Sequence, residues 1–222
     1  MVNKRVDCYK VALFDLDGVV FNTEPQYTIF WSKVFQKYYP ENPLLASKIK
    51  GSTLQQIFDL YFTGKEEQQK EITAELDKFE RNMSFDYIPG LLDFVHDLQK
   101  NGIRTAVVTS SNKEKMQNVY DKHPEFKLLF NKILTSEDFA KSKPDPDCYL
   151  KGASYFKVEP KECIGFEDSF NGLRAVRAAL MPVIGLATTN SEEAIRSYSD
   201  VILKDYQGLT MEKLCHKINR YQ

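Results

Sequence analysis

Four apolar residues, Val11–Phe14, run directly into two carboxylates, Asp15 and Asp17, and then Gly18. A run that short and that apolar reads as a buried strand. Two acids alternating at its end are costly to bury unless something pairs with them. Further short runs follow the same pattern at residues 105–108 and 163–166, and at Lys132–Leu134, Val183–Leu186 and Val201–Leu203. Helical patterns separate them. Short β-rich runs alternating with helices predict a parallel sheet with right-handed crossovers.

The helices carry readable punctuation. Pro89-Gly90 precedes Leu91, Leu92, Phe94, Val95 and Leu98 at helical spacing, and Asn101-Gly102 stops the pattern. Ser169 stands where an N-cap belongs, ahead of Leu173, Val176, Ala179 and Leu180. This places Glu167 and Asp168 just past a strand, at the mouth of a helix. Residues 23–86 differ. Tyr27, Phe30, Trp31, Val34, Phe35 and Tyr38 recur at helical spacing; so do Leu54, Ile57, Phe58 and Tyr61, then Ile72, Leu76, Phe79 and Met83. No strand pattern interrupts them. The segment is expected to be a small helical insertion packed on itself, lying as a lid over the strand ends because it begins a few residues after Asp17. Residues 1–22 and 87–222 would form the sheet-bearing core.

A length of 222 residues suits one large α/β domain or a core with a modest insertion. The hydrophobic fraction of 42% is enough for a real core. Thirty basic residues face 31 acidic ones, for a net charge of −1, with no basic stripe of the kind nucleic-acid binders carry. Cys8, Cys148, Cys163 and Cys215 are scattered without a C-x-x-C pair, which favours reduced thiols over a disulfide framework or zinc site. The N-terminus lacks an apolar signal region, and no run approaches membrane-spanning length. The expectation is a cytoplasmic protein, monomeric or weakly homodimeric, with neither nucleic acid nor membrane as a partner.

Four elements carry chemistry. The first is Asp15-Leu16-Asp17-Gly18, which alone also reads as an Asp turn; no further oxygen ligands stand at EF-hand spacing. The second is Thr109-Ser110-Ser111, whose hydroxyls and backbone N–H groups suit phosphate oxygens or simple capping. The third is Lys143-Pro144, where the proline restricts the lysine backbone and could aim its ammonium. The fourth is Glu167-Asp168, favourable beside a helix N-terminus and also a hard-oxygen donor for Mg²⁺.

All four are read at candidate strand ends in one sheet, and their order resembles the four motifs of the haloacid dehalogenase-like hydrolase superfamily, from Val11 to about Leu186. Phe14-Asp-Leu-Asp-Gly-Val19, Ser142-Lys-Pro-Asp-Pro-Asp147 and Gly165-Phe-Glu-Asp-Ser169 look like its β-phosphoglucomutase-like branch, which carries a helical cap between the first two motifs. The resemblance implies a Rossmann-like core and a phosphatase that hydrolyses a small phosphorylated metabolite, such as a sugar phosphate, through an aspartyl-phosphate, with Mg²⁺ as cofactor. It implies Asp15 as nucleophile and metal ligand, and Asp17 as general acid/base that also ligates the metal through its carbonyl. Thr109, Ser110 and Lys143 would bind the phosphoryl group. Asp168, assisted by Glu167, would hold the metal. Thr23 falls at the cap hinge; Ser111 and Lys50 are candidate substrate contacts.

That branch also contains phosphosugar mutases, which place a histidine in the first cap helix and an arginine in the cap. Here Tyr27 stands at the histidine position, and Ser52-Thr-Leu-Gln-Gln56 follows Lys50-Gly51 without an arginine. Phosphatase is therefore expected ahead of mutase. The alternative from another class is a non-catalytic binding protein on the same fold.

Overall fold

A computed structural model describes residues 9–219, so the readings made on Cys8 and the extreme N-terminus fall outside the described residues. The strands are β1 (Val11–Phe14), β2 (Arg104–Val108), β3 (Lys132–Leu134), β4 (Cys163–Glu167), β5 (Val183–Leu186) and β6 (Val201–Leu203). They form one parallel sheet in the order β3-β2-β1-β4-β5-β6. The predicted α/β class holds. β1 is central, and the strand order reverses between β1 and β4. In an open α/β sheet, the crevice at that reversal is where ligands bind.

Four helices follow β1: α1 (Glu24–Tyr38), α2 (Leu45–Lys48), α3 (Leu54–Tyr61) and α4 (Glu66–Asn82). This is the expected helical cap inserted after the first strand. The helices α5 (Leu91–Lys100), α6 (Lys113–Lys122), α7 (Phe126–Leu129), α8 (Asp147–Phe156), α9 (Phe170–Ala178), α10 (Glu192–Ile195) and α11 (Met211–Ile218) complete the core.

β1 shows why the run at 11–14 had to be apolar throughout. Successive side chains alternate faces. Ala12 and Phe14 join the core on one side of the sheet, and Val11 and Leu13 join the core on the other. A parallel strand covered on both faces has no polar side to show. Phe14 stacks on Phe166 of β4 with ring centroids 4.3 Å apart, and meets Phe94 and Phe130 edge-on. The cap has its own core of Phe30, Trp31, Phe35, Ile57, Phe62 and Ile72. Met83 and Phe85 instead pack into the sheet-side core.

Three details differ from the sequence reading. β4 runs one residue further than the apolar pattern and ends on Glu167, which pairs in register with Gly185. Leu180 is not part of the buried face of α9. It adopts a left-handed φ of 61° and is 80% exposed, because the chain turns out of the helix two residues before Pro182. Lys143 does not follow a strand directly; a short 3-10 turn at Ser136–Asp138 and a loop lie between β3 and it.

Replacing Phe14 with Ala removes a ring from the centre of this packing and is expected to cost about 3–5 kcal/mol of folding stability. Urea unfolding reads that loss as a lower midpoint; a change below about 1 kcal/mol would show that the aromatic cluster does not hold the sheet together.

Candidate active site

The tips of β1, β2 and β4 bring the predicted residues to one opening. Lys143 is 6% exposed and its ammonium lies 2.7 Å from Asp15 Oδ1 and 2.6 Å from Glu167 Oε1. It also donates to the Val108 carbonyl at the end of β2. Burial alone would lower the lysine's pKa, but the Asp15 and Glu167 carboxylates raise it further than burial lowers it. Glu167 is fully buried, and the Tyr149 hydroxyl, the Asp168 amide and the Ser169 hydroxyl also donate to it.

Carboxylate oxygens of Asp15, Glu167 and Asp168 lie within 4.8 Å of one another. One ammonium does not balance three carboxylates. Burial pushes the Asp15 carboxyl up to about 7; Lys143 acts in the opposite direction, and Glu167 and Asp17 add to the rise. Asp168 is raised well above its usual range, first by burial and then by the neighbouring acids Glu24, Glu167 and Asp15. Hard carboxylate oxygens in surplus negative charge are the donor set that Mg²⁺ takes. The residues therefore fit the expected cation.

Asp17 is positioned differently. Its carboxylate is not among the oxygens of that cluster and accepts from Thr23 Oγ1 at 2.6 Å, Ser111 Oγ at 3.2 Å and Lys115 Nζ at 2.5 Å. Thr23 stands at the N-cap of α1 but caps no backbone amide: its backbone is helical (φ −96°, ψ −24°) rather than extended, and its hydroxyl donates to Asp17.

A cavity of about 440 Å³ opens above these groups. Thr109, Ser110, Ser111 and Lys143 line its core side, and Lys50 lines it from the cap. Lys50 donates to the Thr189 carbonyl at 3.0 Å, and Gln56 of α3 donates to the Lys143 carbonyl at 3.1 Å. All ten residues singled out from the sequence border this cavity or bond to a residue that does.

Sequence reasoning missed four contributors. Lys115 is buried against Asp17 and lies 4.7 Å from the Tyr27 ring centre. Its signal was a lysine on the buried face of α6, beside Met116 and Val119. Thr189 donates to Asp168, and Asn190 donates to the Asp168 carbonyl at 3.0 Å. Both follow β5, so the strand-end logic applied to Thr109 would have found them. Glu24 lines the cavity, where burial and then Asp17 push its carboxyl up to about 7. At the first turn of a helix, its sequence position suggests only a favourable dipole interaction.

Two glycines let the loops close. Gly18 has φ +72°, and a Cβ there would lie 2.0 Å from Asp168 Oδ2. A Cβ on Gly172 would overlap the Glu167 carboxylate.

Residues 12–186 match the family model described as haloacid dehalogenase-like hydrolase. The chain belongs to that family. Validoxylamine A 7'-phosphate phosphatase of Streptomyces hygroscopicus subsp. limoneus is 29% identical over 89% of this chain and 94% of that protein. Beta-phosphoglucomutase of Bacillus subtilis (strain 168) is 24% identical over 96% and 97%. A family IA, variant 3 hydrolase structure from Entamoeba histolytica superposes with a TM-score of 0.80 at 21% identity, covering 95% of this chain and 99% of the other, which supports the fold. The resemblance to this family and to its β-phosphoglucomutase-like members is borne out.

The raised carboxyls set a pH dependence. Asp15 has an ordinary value of 3.8 and a folded value of about 7. Between those values the folded chain holds a proton that the unfolded chain has released, so stability falls as pH rises. In chelator, the thermal midpoint is expected to drop from about pH 5 to about pH 8, and added Mg²⁺ is expected to shrink that drop. A chelator-treated protein whose midpoint rises over the same interval would contradict this electrostatic picture.

Proposed function

We propose that this chain is a Mg²⁺-dependent phosphatase that hydrolyses a small phosphorylated metabolite, a sugar phosphate or similar ester, through an aspartyl-phosphate on Asp15. The observation that carries this reading is Lys143 fixed between Asp15 and Glu167 beneath the cavity, with Asp168 alongside. An acid held that way is oriented for attack and shielded from repelling a phosphate dianion.

Asp15 attacks phosphorus, and the bond from phosphorus to the leaving oxygen breaks. Asp17 gives that oxygen a proton. Asp17 then takes a proton from water as the water displaces Asp15 and frees phosphate. Lys143, Thr109 and the Ser110 amide hold the phosphoryl oxygens; Ser111 and Lys50 contact the substrate nearby. Asp15, Asp168 and the Asp17 carbonyl would hold Mg²⁺, with Glu167 acting through Lys143. When bound, the cation would neutralise phosphoryl charge. Residues 23–86 act as the cap and Thr23 as its hinge, a role supported by the hydroxyl contact that ties Asp17 to the start of α1. A cytoplasmic location fits the free, buried Cys148, Cys163 and Cys215.

A mutase reading finds less support. Tyr27 donates to Glu80 at 2.7 Å, and among the described residues no arginine borders the cavity to hold a second phosphate.

The test is Mg²⁺-supported hydrolysis of p-nitrophenyl phosphate, abolished by chelation. Asp15→Asn is expected to show no turnover, and Asp17→Asn to lose about 10²–10⁴ in kcat. Full activity in Asp15→Asn, or none in the wild type with Mg²⁺ and a panel of phosphate esters, would sink the proposal.

A further inference from the structure

The mechanism above uses the floor of the cavity. It leaves the cap-facing wall unexplained. That wall carries three carboxylates: Glu24 at the start of α1, and Asp77 and Glu80 on α4. Together with Asp15, Asp17 and Asp168, six acids border the cavity among the described residues, against three lysines and no arginine. Two of the lysines are already committed. Lys143 is held by Asp15 and Glu167, and Lys115 by Asp17. Lys50 donates to the Thr189 carbonyl, and its charge acts on Glu24.

The two wall glutamates act at close range on the chemistry. Glu24 and Glu80 each interact electrostatically with Asp17 and Lys115, and Glu80 also with Asp77. Glu80 accepts from the Tyr27 hydroxyl, whereas the Glu24 side chain has no hydrogen-bond donor among the described residues. Beside them stand Thr28, Thr73 and Gln55, with Trp31 as an apolar surface. Carboxylates accept hydrogen bonds from hydroxyls and ammonium groups and repel anions, while the threonine hydroxyls and the glutamine amide both donate and accept.

We propose that this wall selects substrates by the charge of the leaving group: it admits a hydroxyl-bearing leaving group that is neutral or cationic, and rejects one carrying a carboxylate or second phosphate. The proposal rests on the phosphatase reading and narrows its substrate class. Discrimination comes from repulsion as much as from attraction, because the unwanted anion meets carboxylates in excess, while each of the three lysines already faces one: Lys143 faces Asp15 and Glu167, Lys115 faces Asp17, and Lys50 faces Glu24.

Two matched pairs of ligands test it. Glucitol 6-phosphate and 6-phosphogluconate differ by a hydroxymethyl against a carboxylate. Glucose 6-phosphate and glucosamine 6-phosphate differ by a hydroxyl against an amine. Affinities are measured by calorimetry on Asp15→Asn with Mg²⁺, so no turnover is needed. The anionic member of the first pair is expected to bind about tenfold or more weakly, and the amine of the second at least as tightly as its partner. In Asp15→Asn carrying Glu24→Gln or Glu80→Gln, the first gap narrows. Equal or tighter binding of 6-phosphogluconate, a gap untouched by both glutamine variants, or no binding of any of the four overturns the proposal. Separate turnover of p-nitrophenyl phosphate by the wild type reports on hydrolysis alone, so failure of selectivity and failure of the phosphatase reading give different results.

Discussion

The buried ammonium of Lys143 between Asp15 and Glu167 is the contact on which the site depends. Neither carboxylate is tolerable at the end of a covered strand without it, and removal of one partner from a buried ion pair leaves an uncompensated charge. Glu167 has no exposure at all, so its role begins as support: it fixes Lys143, and Lys143 fixes the nucleophile candidate. The remaining negative charge at Asp15 and Asp168 calls for a second cation. Structure and chemistry share one charge balance.

The sheet makes that balance possible. β1 and β4 are neighbours at the reversal of strand order, so residues 15 and 167–168 emerge side by side though about 150 positions apart in the chain. β2 delivers Thr109 on the other flank. The cap then closes the opening with α1, α3 and α4, and Gln56 and Lys50 reach across to the Lys143 and Thr189 carbonyls.

Much of this was legible in the chain. Strand positions were readable because a strand buried on both faces leaves an unbroken apolar run, and acids or hydroxyls at its end mark a tip. Asp15, Thr109, Lys143 and Asp168 were found that way or through the motif order. Lys115 and Glu24 were not, because their meaning depends on which helix face turns toward Asp17, and a charged residue in a first helical turn has an ordinary explanation. The orientation of Asp17 was also unreadable. Alternation along a strand tip places it near Asp15, but its partners Thr23, Ser111 and Lys115 come from separate segments. Leu180 shows the converse: a helical period continued on paper past the point where the backbone had turned.

The tight approach at Gly18 and Gly172 divides the cavity into two kinds of surface. Beneath it, a single added methyl would strike Asp168 or Glu167, so the floor has no room for variation. Around the rim, positions 24, 77 and 80 border open volume, and of their side chains Glu80 is tied to the Tyr27 hydroxyl. A scaffold built this way sets a sterically frozen floor of acids beneath a wall of cap helices that has room to drift.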